Sequence, residues 1–140
     1  MVRRHIILRV TTKLLMPFIL LFALYVQFHG DFGPGGGFQA GVIFGAGFIL
    51  YALIQGVETA RRVAPAGLLR ALMALGVAIY VGTGYMGLFL GGNFLNYDVL
   101  AQEPAHGQEL GISLVELGVG ITVAATMVTI FFAFAARRRA

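Results

Sequence analysis

The chain has 140 residues, 59% of them hydrophobic and 11% charged, with a mean hydropathy of +0.87, whereas a soluble domain carries about 25% charged residues. That balance excludes a water-soluble fold for most of the length and leaves room for four bilayer spans of about 20 residues each. The ten basic residues, against six acidic ones, flank apolar runs instead of forming a face, which reads as membrane topology and not as nucleic-acid binding.

The first apolar run predicts a span over residues 10–28, with Lys13 snorkelling toward the headgroups and Pro17 near the first turns. A charged start before an apolar stretch also resembles a signal peptide. No small-residue cleavage pattern follows, so the helix is expected to be retained. Residues 29–37 read His-Gly-Asp-Phe-Gly-Pro-Gly-Gly-Gly, a connection short enough to fold the next span, 38–57, back as an antiparallel hairpin. A third span covers 68–90. Residues 91–111 read as a polar loop that holds Asp98, Glu103, Glu109 and His106 without a basic residue, either simply solvated or acting as an electrostatic funnel for cations. The fourth span, 112–136, runs into Arg137, Arg138 and Arg139. With no repeat, the chain reads as one all-α integral membrane domain of four transmembrane helices.

Orientation follows from the Lys and Arg near span ends. Arg3, Arg4 and Arg9 precede the first span with Lys13 at its start, Arg61 and Arg62 lie between the second and third with Arg70 near the entrance of the third, and three arginines close the chain. All lie on one side, so both termini are expected in the cytoplasm of a cell whose plasma membrane the chain crosses. Asp31, Asp98, Glu103 and Glu109 fall on the other side.

Several residues carry chemistry beyond span formation. Gly37, Gly41 and Gly45 recur every fourth residue, a stripe that lets another helix approach closely, and Gly120 with Ala124 repeats the device in the fourth span. The partner is either within this chain or on another subunit. The glycine run from Gly33 to Gly37 lacks the Gly-Lys-Ser/Thr ending of a phosphate-binding loop. His29 and Asp31 stand at its mouth. His29 suits an interfacial hydrogen bond or a proton-responsive group, and Asp31 suits the positive end of the second helix or the hand-over of a cation. Glu116 is the acid that falls inside an apolar run, near its outer end. Intramembrane carboxylates are costly, which makes Glu116 a candidate for ion movement as well as a structural hydrogen-bonding group. Thr122, Thr126 and Thr129 are the nearest approach to a polar channel stripe, and threonine is readily satisfied by its own helix backbone. The absence of cysteine rules out a disulfide framework and a thiolate metal site, and no metal-ligand spacing or cofactor motif is present.

The string from His29 to Gly41, with Pro34-Gly35-Gly36-Gly37-Phe38-Gln39 at its centre, set between two apolar runs, resembles the signature of the B subunit of the Mrp-type multi-subunit Na⁺/H⁺ antiporters, the MnhB family. Length, four spans and a long third connection resemble that family too. The resemblance implies a small, non-enzymatic subunit, without cofactors, of a hetero-oligomeric complex that exchanges cytoplasmic Na⁺ for external H⁺. Larger subunits would carry the main ion pathways. This chain would contribute to assembly, with His29, Asp31 and Glu116 as candidates for a cation path. The equivalent subunit of a membrane-bound hydrogenase-like complex and a purely structural helix-packing subunit remain as alternatives.

Overall fold

The computed structural model describes residues 5–30 and 35–137. Five α-helices and one 3₁₀ turn account for most of them: α1 (Ile6–His29), α2 (Gly37–Gln55), α3 (Val57–Val63), α4 (Ala66–Phe89), the turn Tyr97–Leu100, and α5 (Pro104–Arg137). No strand occurs among the described residues. Helices suit these long apolar runs, because in a bilayer every backbone polar group must be satisfied and a helix does so within its own segment. Four of the five, α1, α2, α4 and α5, are long and apolar enough to cross a membrane. Their outer faces are apolar as well: Ile7 is 81% exposed, Phe28 71% and Phe89 86%. Such faces suit lipid or neighbouring subunits, not water.

The glycine contacts give the register. Gly47 of α2 meets Met16, Ile19 and Leu20 of α1, while Gly36 donates its N–H to the Val26 carbonyl at 3.3 Å, so α1 and α2 form the expected antiparallel hairpin. Along α2, Gly37 meets Glu116, Gly41 meets Gly120 and Val123, and Gly45 meets Ala124 and Met127, so α2 and α5 run parallel. Gly76 of α4 meets Gly118 and Thr122, which makes α4 antiparallel to α5. Packing thus follows the order α1, α2, α5, α4, with α5 between two partners. Its glycines divide the work: Gly120 faces the α1–α2 hairpin, and Gly118 faces α4.

Two stretches depart from the sequence-based expectation. The second span ends at Gly56, whose φ of +102° suits glycine and breaks the helix. The amphipathic α3 follows, with Ala60 fully buried and Arg61 reaching across to α5. The Arg61 guanidinium donates to the Phe132 carbonyl at 3.0 Å and lies 5.5 Å from the ring centroid of Phe132, placing a cation near the C-terminal end of α5, where the helix dipole favours it.

Residues 104–111, expected as loop, are helical. The cause is tertiary. A side chain at Gly107 would collide with the Tyr97 carbonyl and one at Gly111 with the Tyr97 ring, so these glycines let the 91–100 segment lie directly on α5. Gln108 adds a 2.6 Å hydrogen bond to Asp98. At 34 residues, α5 is ~51 Å long against a hydrocarbon layer of ~30 Å, so its polar first turns stand outside the apolar layer. Pro17, expected near the start of its helix, lies well inside α1 because the helix begins at Ile6. Its ring leaves the Lys13 carbonyl without the usual donor four residues on.

The alternation of helices gathers the described basic residues, Arg9, Lys13, Arg61, Arg62, Arg70 and Arg137, at one end of the bundle. Asp98, Glu103 and Glu109 lie at the other. There His106 sits between Glu103 and Glu109, at 3.6 and 3.7 Å, fully on the surface.

Candidate functional site

The α2–α5 contact ends at the α1–α2 turn, and there three of the sequence signals meet. Gly36 precedes α2 with φ +139°, a backbone conformation in which any side chain is strained. It lets the chain turn sharply out of the hairpin while its N–H reaches Val26 and its carbonyl accepts from Ala40 at 3.0 Å. Gly37 lies directly on the backbone carbonyl of Glu116. The Glu116 carboxylate then extends beneath the turn: a Cβ at Gly30 would come 2.7 Å from Oε2 and 2.8 Å from Oε1, and one at Gly36 would come 3.2 Å from Oε1. The glycines of the turn are therefore shaped around this side chain.

The electrostatic setting follows from the same geometry. The start of α2 has no side-chain cap of its own, and its first N–H groups carry the positive end of the helix dipole. Sequence reasoning offered Asp31 as a carboxylate for that position, and Asp31 lies outside the described residues. The structure brings Glu116 there, from a helix distant in sequence. Gln39 lies close by, its Oε1 3.2 Å from where a Gly36 Cβ would be. Gln27, 8% exposed, lies against Gly120 one turn further along α5.

The remaining expected residues distribute around this centre. His29 is the last residue of α1, partly buried, with its ring stacked on Tyr25 at 5.1 Å and 18°. Asp31 and Pro34 lie outside the described residues. Gly35 approaches the Val26 carbonyl, where a Cβ would come within 2.9 Å. Phe38 is 61% exposed and points away from the helix contact. Gly41 and Gly45 are buried within the chain, against α5, which settles that their stripe is used internally. Thr129 donates to the Ala125 carbonyl at 2.7 Å and Thr122 to the Met73 carbonyl at 3.5 Å. Two hydroxyls of the threonine stripe are thus engaged with backbone.

One feature escaped the sequence reading. Gly67, Ala71, Ala74, Ala78 and Gly82 form a second small-residue stripe on α4, and all five are exposed. Among the described residues nothing lies within 4 Å of a Cβ placed at Gly67 or Gly82. Their spacing of three and four residues was visible, but α4 also carries Gly76, Gly84 and Gly87 on its buried side, so small residues alone did not say which face was free.

The glycine turn, its intramembrane carboxylate and the four long apolar helices coincide with a known protein family. The profile described as a domain related to the MnhB subunit of Na⁺/H⁺ antiporters matches residues 7–129. The chain belongs to the MnhB family. It is 35% identical over 141 residues to the protein named "Putative antiporter subunit mnhB2" in Staphylococcus aureus strain MRSA252, covering 99% of both chains. The same identity and coverage hold for the proteins of that name in strains Newman and JH1. The match runs through the hairpin, the turn and most of α5, so the MnhB identity covers every residue of the site described above.

Proposed function

We propose that this MnhB-family chain is an accessory subunit of a multi-subunit antiporter that exchanges cytoplasmic Na⁺ for external H⁺, where it joins helices together and offers a carboxylate to the cation route. The observation that carries this reading is the seat of Glu116 beneath the Gly30–Gly36–Gly37 turn. A titratable group there bridges α5 to the hairpin at the end opposite the basic residues. The subunit itself is not an enzyme and needs no cofactor. Its basic end faces the cytoplasm of a cell whose plasma membrane it spans, as the positive-inside rule directs. His29 and Asp31 flank Gly30, the glycine that lies against the carboxylate, and complete the candidate path.

The test is Glu116→Gln in the assembled complex, reconstituted in vesicles and followed by Na⁺-dependent proton flux across a range of pH. Glutamine keeps shape and hydrogen bonding but cannot titrate. The expected outcome is intact assembly with exchange lowered about tenfold, the equivalent of ~1.4 kcal/mol in the barrier, and partial recovery in Glu116→Asp. An assembled Gln variant with unchanged rate and pH profile leaves Glu116 a structural clasp and removes it from the ion route.

A further inference from the structure

A groove of about 470 Å³ runs along α5 between the α1–α2 hairpin and α4. Its walls include Leu24 and Gln27 of α1, Phe44 of α2, Leu72 of α4, and Ile121 and Ala124 of α5, and among the described residues Gln27 is the one polar side chain that lines it. On α5 it extends from Leu117 to Val128, ~16 Å along the axis at 1.5 Å per residue. The groove is apolar along its length, and until an apolar chain fills it its lining forgoes dispersion contacts.

The charges at one end say which lipid. Lys13 precedes Leu24 by three helical turns and so stands on the same edge of α1. Gly47 meets Met16 of α1 while Gly45 meets Met127 of α5, which puts Lys13 about a turn beyond the end of the groove at Val128. Arg9 is one turn further. Neither side chain has a hydrogen-bond or ion-pair partner among the described residues. Arg62 and Arg70 belong to the same end, next in sequence to the lining residues Val63 and Leu69, and Glu58 is the acid there. We propose that the groove is a lipid site: it holds one acyl chain of an anionic phospholipid, whose phosphate rests on Lys13 and Arg9. Clustered cations at the cytoplasmic end of spans are the chemistry that selects such headgroups.

The test uses the assembled complex in mild detergent, loaded with phosphatidylglycerol or phosphatidylcholine that carries a photoreactive diazirine near the end of one acyl chain. Crosslinks are mapped by mass spectrometry. The expected result is labelling of Leu24, Leu72 or Ile121 by the phosphatidylglycerol probe at least fivefold above the phosphatidylcholine probe. Arg9→Gln with Lys13→Gln should erase that preference, and Ile121→Phe, which fills the groove, should lower labelling by both. Equal labelling by the two probes overturns the anionic site. Absent labelling, with a cysteine at Leu24 or Leu72 crosslinking instead to another subunit, shows that a protein partner covers the groove and overturns it as well. The comparison of the two probes on the unmodified complex decides the matter even where a variant fails to assemble.

Discussion

Gly37 and Glu116 meet backbone to backbone: a Cβ added to the first residue of α2 would collide with the Glu116 carbonyl. The contact sets how closely α2 and α5 approach and, through the Glu116 side chain, how the turn sits. Gly37→Ala should therefore force the helices apart at a cost of about 1–3 kcal/mol, as overpacking does. Gly67→Ala, where nothing among the described residues lies within 4 Å, should leave stability unchanged or slightly raised, since alanine favours the helix. Thermal unfolding of the two purified variants in detergent distinguishes them, and similar melting points would refute the contact.

The segment that packs on the start of α5 makes a second prediction. Burial, together with neighbouring Tyr80, raises the Tyr97 phenol above its ordinary value of about 10. Its neutral form is thus favoured in the fold. The contribution is whole below about pH 10 and is lost as pH rises from there through the raised value, because the unfolded chain gives up the proton first. Tyr97→Phe should remove this alkaline loss while keeping the ring against Gly111. Gly111→Leu should dislodge the segment at every pH. Ultraviolet titration of tyrosinate and amide exchange across residues 91–111 measure the two effects.

The four long helices were legible because composition leaves a membrane chain no alternative, and the basic residues mark their ends. The start of α5 was not, because residues 104–111 are polar and glycine-containing, and their helicity depends on Tyr97 and Asp98 lying against them. Pro104 at the first helical position was the local signal available. For the site, sequence marked Glu116 and the Gly35–Gly37 run separately. Their meeting depends on the parallel register of α2 and α5, which no local pattern encodes. The two glycine stripes, Gly37–Gly41–Gly45 and Gly120–Ala124, were each visible, yet that they are one another's partners emerged from the packing alone. Proximity in the chain put Asp31 forward as a helix-end carboxylate; that Glu116 reaches this end is a matter of proximity in space, which chain order does not reveal.

Orientation is open to direct measurement. Gln102 is exposed at the acidic end and Gly67 is exposed at the basic end with open space around it, so a cysteine at either site disturbs little. In intact cells an impermeant thiol reagent should label Gln102→Cys and spare Gly67→Cys, with the reverse in inverted vesicles. Labelling of Gly67→Cys in intact cells would invert the topology assigned from the basic residues.

The last prediction concerns how the subunit meets its neighbours. Within a bilayer, helices associate through close packing and not through hydrophobic drive, so a stripe of small residues gains its effect when another helix lies on it. Gly37, Gly41 and Gly45 are already occupied by α5, and a larger side chain there should damage the subunit itself. Gly67, Ala71, Ala74, Ala78 and Gly82 on α4 are exposed. In a chain that belongs to a family of complex subunits, that face is where a neighbouring helix fits. Ala78→Leu should leave the melting temperature of the isolated subunit unchanged and reduce the amount of the other subunits that co-purify with it by several-fold. Gly41→Leu should lower both quantities, because a Cβ there already comes within 2.7 Å of the Gly120 carbonyl. The pair separates contact within the chain from contact between chains. If Ala78→Leu co-purifies its partners at the normal level, the exposed α4 face is turned to lipid, and assembly relies on another surface of the bundle.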